Sequence, residues 1–160
     1  MLESIIVISL LGLVGLSFAY LFSMSQRFMI QSMDSATSQG DAAFALEHIK
    51  RHVITATVVS QPAAGASGAV LEFTWQPTSN AGATGQVRTS RYEVNGTDLR
   101  FIPNTGAGGF EVVSQGITSI TFNRATAGTV SVDVTARKTT GGDSRDMRLQ
   151  TSISPRGLFQ

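Results

Sequence analysis

Two histidines, His48 and His52, stand four residues apart, an interval at which one helix can set two imidazoles on a single metal ion. No cysteine accompanies them, the neighbouring acid is Glu47 rather than a residue between them, and no third ligand is indicated. The pair therefore reads as part of a solvated helix face, and neither a metal nor a cofactor is expected. Asp143-Ser144-Arg145-Asp146 follows a glycine pair and offers Asp143 and Asp146 to a calcium loop. That run is short and Arg145 interrupts it, so a plain turn is the preferred reading. Asn95-Gly96-Thr97 is an N-glycosylation sequon, yet Asn-Gly is equally a hairpin turn; the turn is favoured, with Asn95 as a secondary glycan candidate. Serines are many, but none sits in a G-x-S-x-G elbow, and no phosphate-binding loop occurs. No enzymatic activity is expected.

The acid in the most unusual setting is Glu3. It opens an uncharged run, Ser4 to Gln26, that ends only at Arg27 and includes Ile5, Ile6, Val7, Ile8, Leu10, Leu11, Leu13, Val14, Leu16, Phe18, Leu21 and Phe22. Roughly 20 apolar residues at about 1.5 Å each suffice to cross a bilayer core of about 30 Å. A secretory signal would place basic residues before a shorter core and a small-residue cleavage site after it. Here the preceding residue is acidic, and no A-x-A pattern follows Phe22. An ordinary anchor is the second reading, although an unpaired carboxylate at its outset is expensive. The third is a helix that leaves the membrane to pack among copies of itself, where Glu3 finds a partner. Gly12 and Gly15 lie within the run, and Gly15 with Ala19 forms a small-xxx-small pair that lets helices approach closely. Phe18, Tyr20, Phe22 and Phe28 read as packing rings rather than as an electron-transfer stack.

The elements that position these residues follow from pattern. A chain of 160 residues suits one ordinary domain plus an appendage. Net charge is +1, from 12 basic and 11 acidic residues, so nothing points to nucleic acid as a partner. Charged residues are 14% of the chain, against roughly 25% in an average soluble domain, which fits burial of much of the length in a membrane or an assembly. With no cysteine, the globular part holds by packing.

From Arg27 to about Val58 there is no proline. Met29, Met33 and Ala36 recur at helical spacing, and so do Ala42, Ala45, Leu46, Ile49, Val53 and Ala56. One helix from Leu2 to about Val58 would reach on the order of 80 Å, so its first half must project while its second half carries a sheet. Gly40 marks the weakest turns. Gln61 to Gly68 reads as a small-residue loop stopped by Pro62. Period-two alternation then places Leu71, Phe73 and Trp75 on one face, with further faces at Ile120 and Phe122, at Val130, Val132, Val134 and Ala136, and at Met147, Leu149 and Ile153. Tyr92 and Val94, then Leu99 and Phe101, flank Asn95-Gly96. A two-residue Asn-Gly loop would oppose Glu93 to Asp98 and Arg91 to Arg100, which is unfavourable, so a longer loop stays open. Turns are expected at 104–109, 124–128 and 139–143. The expected fold is α+β, with five to seven antiparallel strands packed by one face on the helix. Its expected parts are an arm at 1–26, an amphipathic helical half at 27–60 and a head at 61–160.

Met1-Leu2-Glu3-Ser4-Ile5-Ile6-Val7-Ile8-Ser9-Leu10-Leu11-Gly12-Leu13 resembles the N terminus of a mature type IV pilin or type II secretion pseudopilin. A weaker similarity, Asp41 to Arg51, is to the second helix half of minor pilins and larger pseudopilins. The resemblance implies a leader removed by a prepilin peptidase, an N-methylated start two residues before Met1, and a lollipop-shaped subunit. It further implies residence in the inner membrane before assembly, then incorporation by pilus machinery into an extracellular homopolymeric filament or a periplasmic pseudopilus. Glu3, Gly12, Gly15, Phe18, Tyr20 and Phe22 become its assembly residues, and unwinding between Gly12 and Ser17 would accompany polymerisation. The alternatives are a minor pilin or pseudopilin, and a membrane-anchored binding domain that never polymerises.

Overall fold

The computed structural model describes residues 2–76, 86–126, 128–140 and 143–156. The fold is α+β, one long N-terminal helix with two antiparallel sheets. The chain divides into two compact units, Met1–Ala36 and Thr37–Gln160. The division falls inside the helix, beyond the arm boundary expected from charge at residue 26.

Helix α1 spans Leu2–Val53 and passes through Gly40 without interruption. Its last turn carries Lys50, Arg51 and His52, and the Lys50 and Arg51 cations complement the negative end of the helix dipole. It stops short of Val58, where helical spacing of apolar residues had placed its end. Ile54, Thr55, Thr57, Val58 and Val59 are β-branched, and such side chains favour an extended backbone. The chain has joined a sheet by Thr57, whose amide donates to the Thr74 carbonyl at 2.8 Å.

The strands are β1 (Val58–Gln61), β2 (Ser67–Gly68), β3 (Leu71–Trp75), β4 (Arg88–Asn95), β5 (Asp98–Ile102), β6 (Glu111–Ser114), β7 (Ile117–Arg124), β8 (Val130–Thr140) and β9 (Asp143–Ile153). One sheet has the order β1-β3-β4-β5-β6 and the other β2-β7-β8-β9. Among the described residues, nine strands in two sheets thus replace the expected five to seven in one. The additions β1, β2 and β6 have four, two and four residues, too few for alternation to show. Loop 61–68, read as structureless, therefore contains part of β1 and all of β2.

A single core joins these elements within the second unit. From α1 it takes Ala42, Ala45, Ile49 and Val53, all fully buried, spaced three or four apart as a helix stripe must be. The first sheet contributes Leu71, Phe73, Tyr92, Leu99 and Phe101, and the second Ile120, Phe122, Val130, Val132 and Val134. The alternation read at residues 130–136 is the inner face of β8. Trp75 is only partly buried, and its indole N–H donates to Ser90 Oγ at 2.9 Å. Ser90, fully buried, passes its own hydroxyl proton to the Pro103 carbonyl at 2.8 Å.

The β4–β5 hairpin resolves the charge conflict by its register. Asn95 pairs with Asp98, so the two-residue loop is Gly96-Thr97, one position later than Asn-Gly. Glu93 then faces Arg100, Tyr92 faces Phe101 and Arg91 faces Ile102. Opposite charges sit across the ladder where the other register would have set like charges. Gly96 has φ +65° and Thr97 has no positive φ, the type II′ pattern with glycine first. A second glycine is needed between β6 and β7: Gly116 has φ +75°, and an added Cβ would lie 3.4 Å from the Arg137 carbonyl oxygen. The expected turn at 104–109 is present, with Gly106 N–H donating to Asn104 Oδ1 at 3.1 Å. At 124–128, Arg124 still belongs to β7 and the turn closes through Gly128 N–H to the Ala125 carbonyl at 2.9 Å. Residues 141–142 of the third expected turn lie outside the described residues.

Candidate assembly arm and histidine pair

The first unit is helical wherever it is described, and its apolar side chains are not covered by the chain itself. Exposure between Ile5 and Phe22 runs from 49% at Val14 to 74% at Leu16, with Phe18 at 69% and Tyr20 at 71%. They occur on every side of the helix rather than on one stripe. The segment is long and apolar enough to cross a membrane by length and composition. Two of its serine hydroxyls are closed onto the helix backbone. Ser9 donates to the Ile5 carbonyl and Ser17 to the Leu13 carbonyl, both at 2.9 Å, so neither hydroxyl needs an outside partner. Glu3 is exposed in the first turn, where a carboxylate favours the helix N terminus. A Cβ added at Gly12 or Gly15 would meet nothing within 4 Å, and the backbone between Gly12 and Ser17 is helical. Met1 lies outside the described residues.

The histidine pair is not a solvated face. His48 and His52 are half-buried on the rim of the core stripe, each one position before a buried residue, Ile49 and Val53. Their rings rest against Phe101, with centroids at 5.5 Å and 4.7 Å. The hydroxyl of the fully buried Tyr92 lies 2.9 Å from His48 Nδ1 and 3.1 Å from His52 Nδ1. His52 Nδ1 is also 3.0 Å from the His48 carbonyl oxygen. One arrangement satisfies all of these contacts: Tyr92 O–H donates to His48 Nδ1, and His52 Nδ1–H is shared between the His48 carbonyl and the Tyr92 oxygen. Burial, then the neighbouring His52, hold His48 below the ordinary imidazole value, with Arg51 acting the same way and Glu111 opposing. Burial first and Glu111 second push the Tyr92 phenol well above its ordinary value, so the hydroxyl keeps its proton.

The remaining sequence candidates are dispersed. Asp146 lies on β9, where its carboxylate takes both arms of the Arg137 guanidinium at 2.6 Å and 2.8 Å. That contact holds Asp146 below the usual carboxylate range, and the carboxylate is already partnered rather than open to calcium. The Asp143 side chain lies outside the described residues. Among the described residues no group of three or more His, Cys, Asp or Glu could hold a metal ion. Asn95 is exposed at the end of β4, so the sequon and the turn occupy one accessible place. Among the described residues, a cleft of about 240 Å³ opens beside Arg91, Glu93 and Phe110, and another of about 280 Å³ beside Asp41, Arg137 and Lys138. Neither lining includes His48 or His52.

Sequence reasoning missed the role of Tyr92. Its period-two partners, Ser90 and Val94, mark it as inward-facing, but only the β4 register sets its hydroxyl between two imidazoles. Comparison with family models, with curated proteins and with solved structures finds no match for this chain.

Proposed function

We propose that this chain is a structural subunit of a type IV pilus-like filament, polymerising through the first segment of α1. The observation that carries the reading is the arm itself: apolar on all sides, exposed along its whole length, and opened by one acid. Leaving that surface in water is untenable at roughly 25 cal/mol per Å² of apolar area. Lipid covers it before assembly and sister arms cover it afterwards. Gly12 and Gly15 leave room for a neighbouring helix to approach, and the closed serine hydroxyls lose nothing in a dry core. Glu3 then pairs with the N-terminal amine of an adjacent subunit. Burying that pair costs desolvation that its attraction barely offsets, so its contribution is register and selection of processed subunits.

Glu3→Gln tests this directly. The substituted chain is expected to keep the far-UV circular dichroism of the wild type and to enter the membrane, while filament yield falls at least tenfold. Wild-type yield from Glu3→Gln would contradict the pairing.

The similarity of Asp41 to Arg51 supports a second reading, a minor pilin or pseudopilin using the same arm at a filament tip or in a periplasmic rod. Relative abundance in purified filaments separates the two, a principal band of this mass marking the major subunit and a trace band the minor one.

A further inference from the structure

The His48–His52 pair sets two imidazoles beside each other, each with Nδ1 against an oxygen of the chain. The rings lie on one side of α1, four residues apart, with centroids 4.6 Å apart and planes inclined at 43°. Each directs Nδ1 toward oxygen atoms of the chain, the Tyr92 hydroxyl for both and the His48 carbonyl for His52. No hydrogen bond among the described residues engages either Nε2. A ligating imidazole usually gives its other ring N–H to an oxygen, which fixes its tautomer and orientation. His52 has that support before any ion arrives, and His48 gains it when its ring proton moves from Nε2 to Nδ1. With Nδ1–H of each ring donating to Tyr92 Oη, the phenol turns its own proton to the His48 carbonyl, 3.3 Å away. No group is left unpaired by the change.

We propose that His48 and His52 bind one divalent transition-metal ion through their Nε2 atoms, with water completing its coordination. No third His, Cys, Asp or Glu joins them among the described residues, so the ion keeps open positions. Imidazole suits copper, nickel and zinc, with copper(II) held most tightly in the usual order of divalent affinities. Magnesium and calcium, which take oxygen ligands, are excluded by the donor set. The bound ion spans the last turn of α1, next to the helix end at Val53, and holds that turn over Phe101.

The test uses the full-length, tag-free chain in detergent micelles, titrated with Cu²⁺ and separately with Zn²⁺. Wild type is expected to bind one ion per chain. His48→Gln and His52→Gln each weaken it at least tenfold, and excess Mg²⁺ does not compete. Electron paramagnetic resonance of the copper form is expected to show coupling to two imidazole nitrogens. Equal affinity in the doubly substituted chain, absence of binding at millimolar ion, or a copper spectrum without nitrogen coupling would each overturn the assignment. The spectrum of the wild type decides the matter even if a substituted chain fails to fold.

Discussion

Tyr92 shows how much a single hydroxyl can organise. The phenol is fully buried, yet its oxygen reaches two half-buried imidazoles on the helix above it. Removing that oxygen leaves the aromatic packing against Phe73 and Phe101 in place and takes only the hydrogen bonds. Tyr92→Phe should therefore lower unfolding stability by about 1–2 kcal/mol, the cost of a lost buried hydrogen bond with partial rescue by water. Urea melts of the two proteins would measure it, and a loss within error would show that the imidazoles do not depend on the phenol. The pair's placement was half legible in the sequence. The stripe Ala42, Ala45, Ile49, Val53 could be drawn from spacing alone, and residues 48 and 52 fall on its rim. What spacing could not supply was the strand residue opposite, because that depends on β4 register.

Among the elements, the helix and the longest strands were the most legible and the hairpin register the least. Val130 to Ala136 alternates without exception because one face of β8 is buried along that stretch. Residues 58–61, 67–68 and 111–114 are too short to carry a period. Their sequences hold Ser, Gln, Gly and Glu, and pairing with a neighbouring strand rather than side-chain pattern makes them strands. The hairpin depended on a balance of turn chemistry against charge. Asn-Gly favoured one loop, the Glu93–Arg100 pairing another, and Gly96 serves either because it accepts positive φ. Two glycines should respond in opposite directions to the same substitution. Gly96→Ala places a side chain at φ +65° and should cost about 1 kcal/mol or more. Gly40→Ala, where an added Cβ meets nothing within 4 Å, should stabilise by up to about 1 kcal/mol through helix propensity. Thermal melts of both would check the signs, and a gain at Gly96 would contradict the turn assignment.

At the scale of the whole molecule, the chain holds two kinds of surface. Among the described residues, the second unit gathers one buried apolar core, from Ala42 to Ile153, without a disulfide. Residues 3–26 leave their apolar side chains uncovered. The exposed apolar arm was legible from the start in the uncharged run behind a lone acid. Which partner covers the arm was not, because lipid tails and sister helices are equally apolar. The account rests on sister helices, and electron cryo-microscopy of filaments purified from cells that make the tag-free full chain tests it most directly. It predicts a helical polymer of this chain whose central density is residues 3–26 of many subunits, with each Glu3 beside the N terminus of a neighbour. Chains recovered only singly, with the arm enclosed in lipid or detergent and no sister subunit against Glu3, would contradict it.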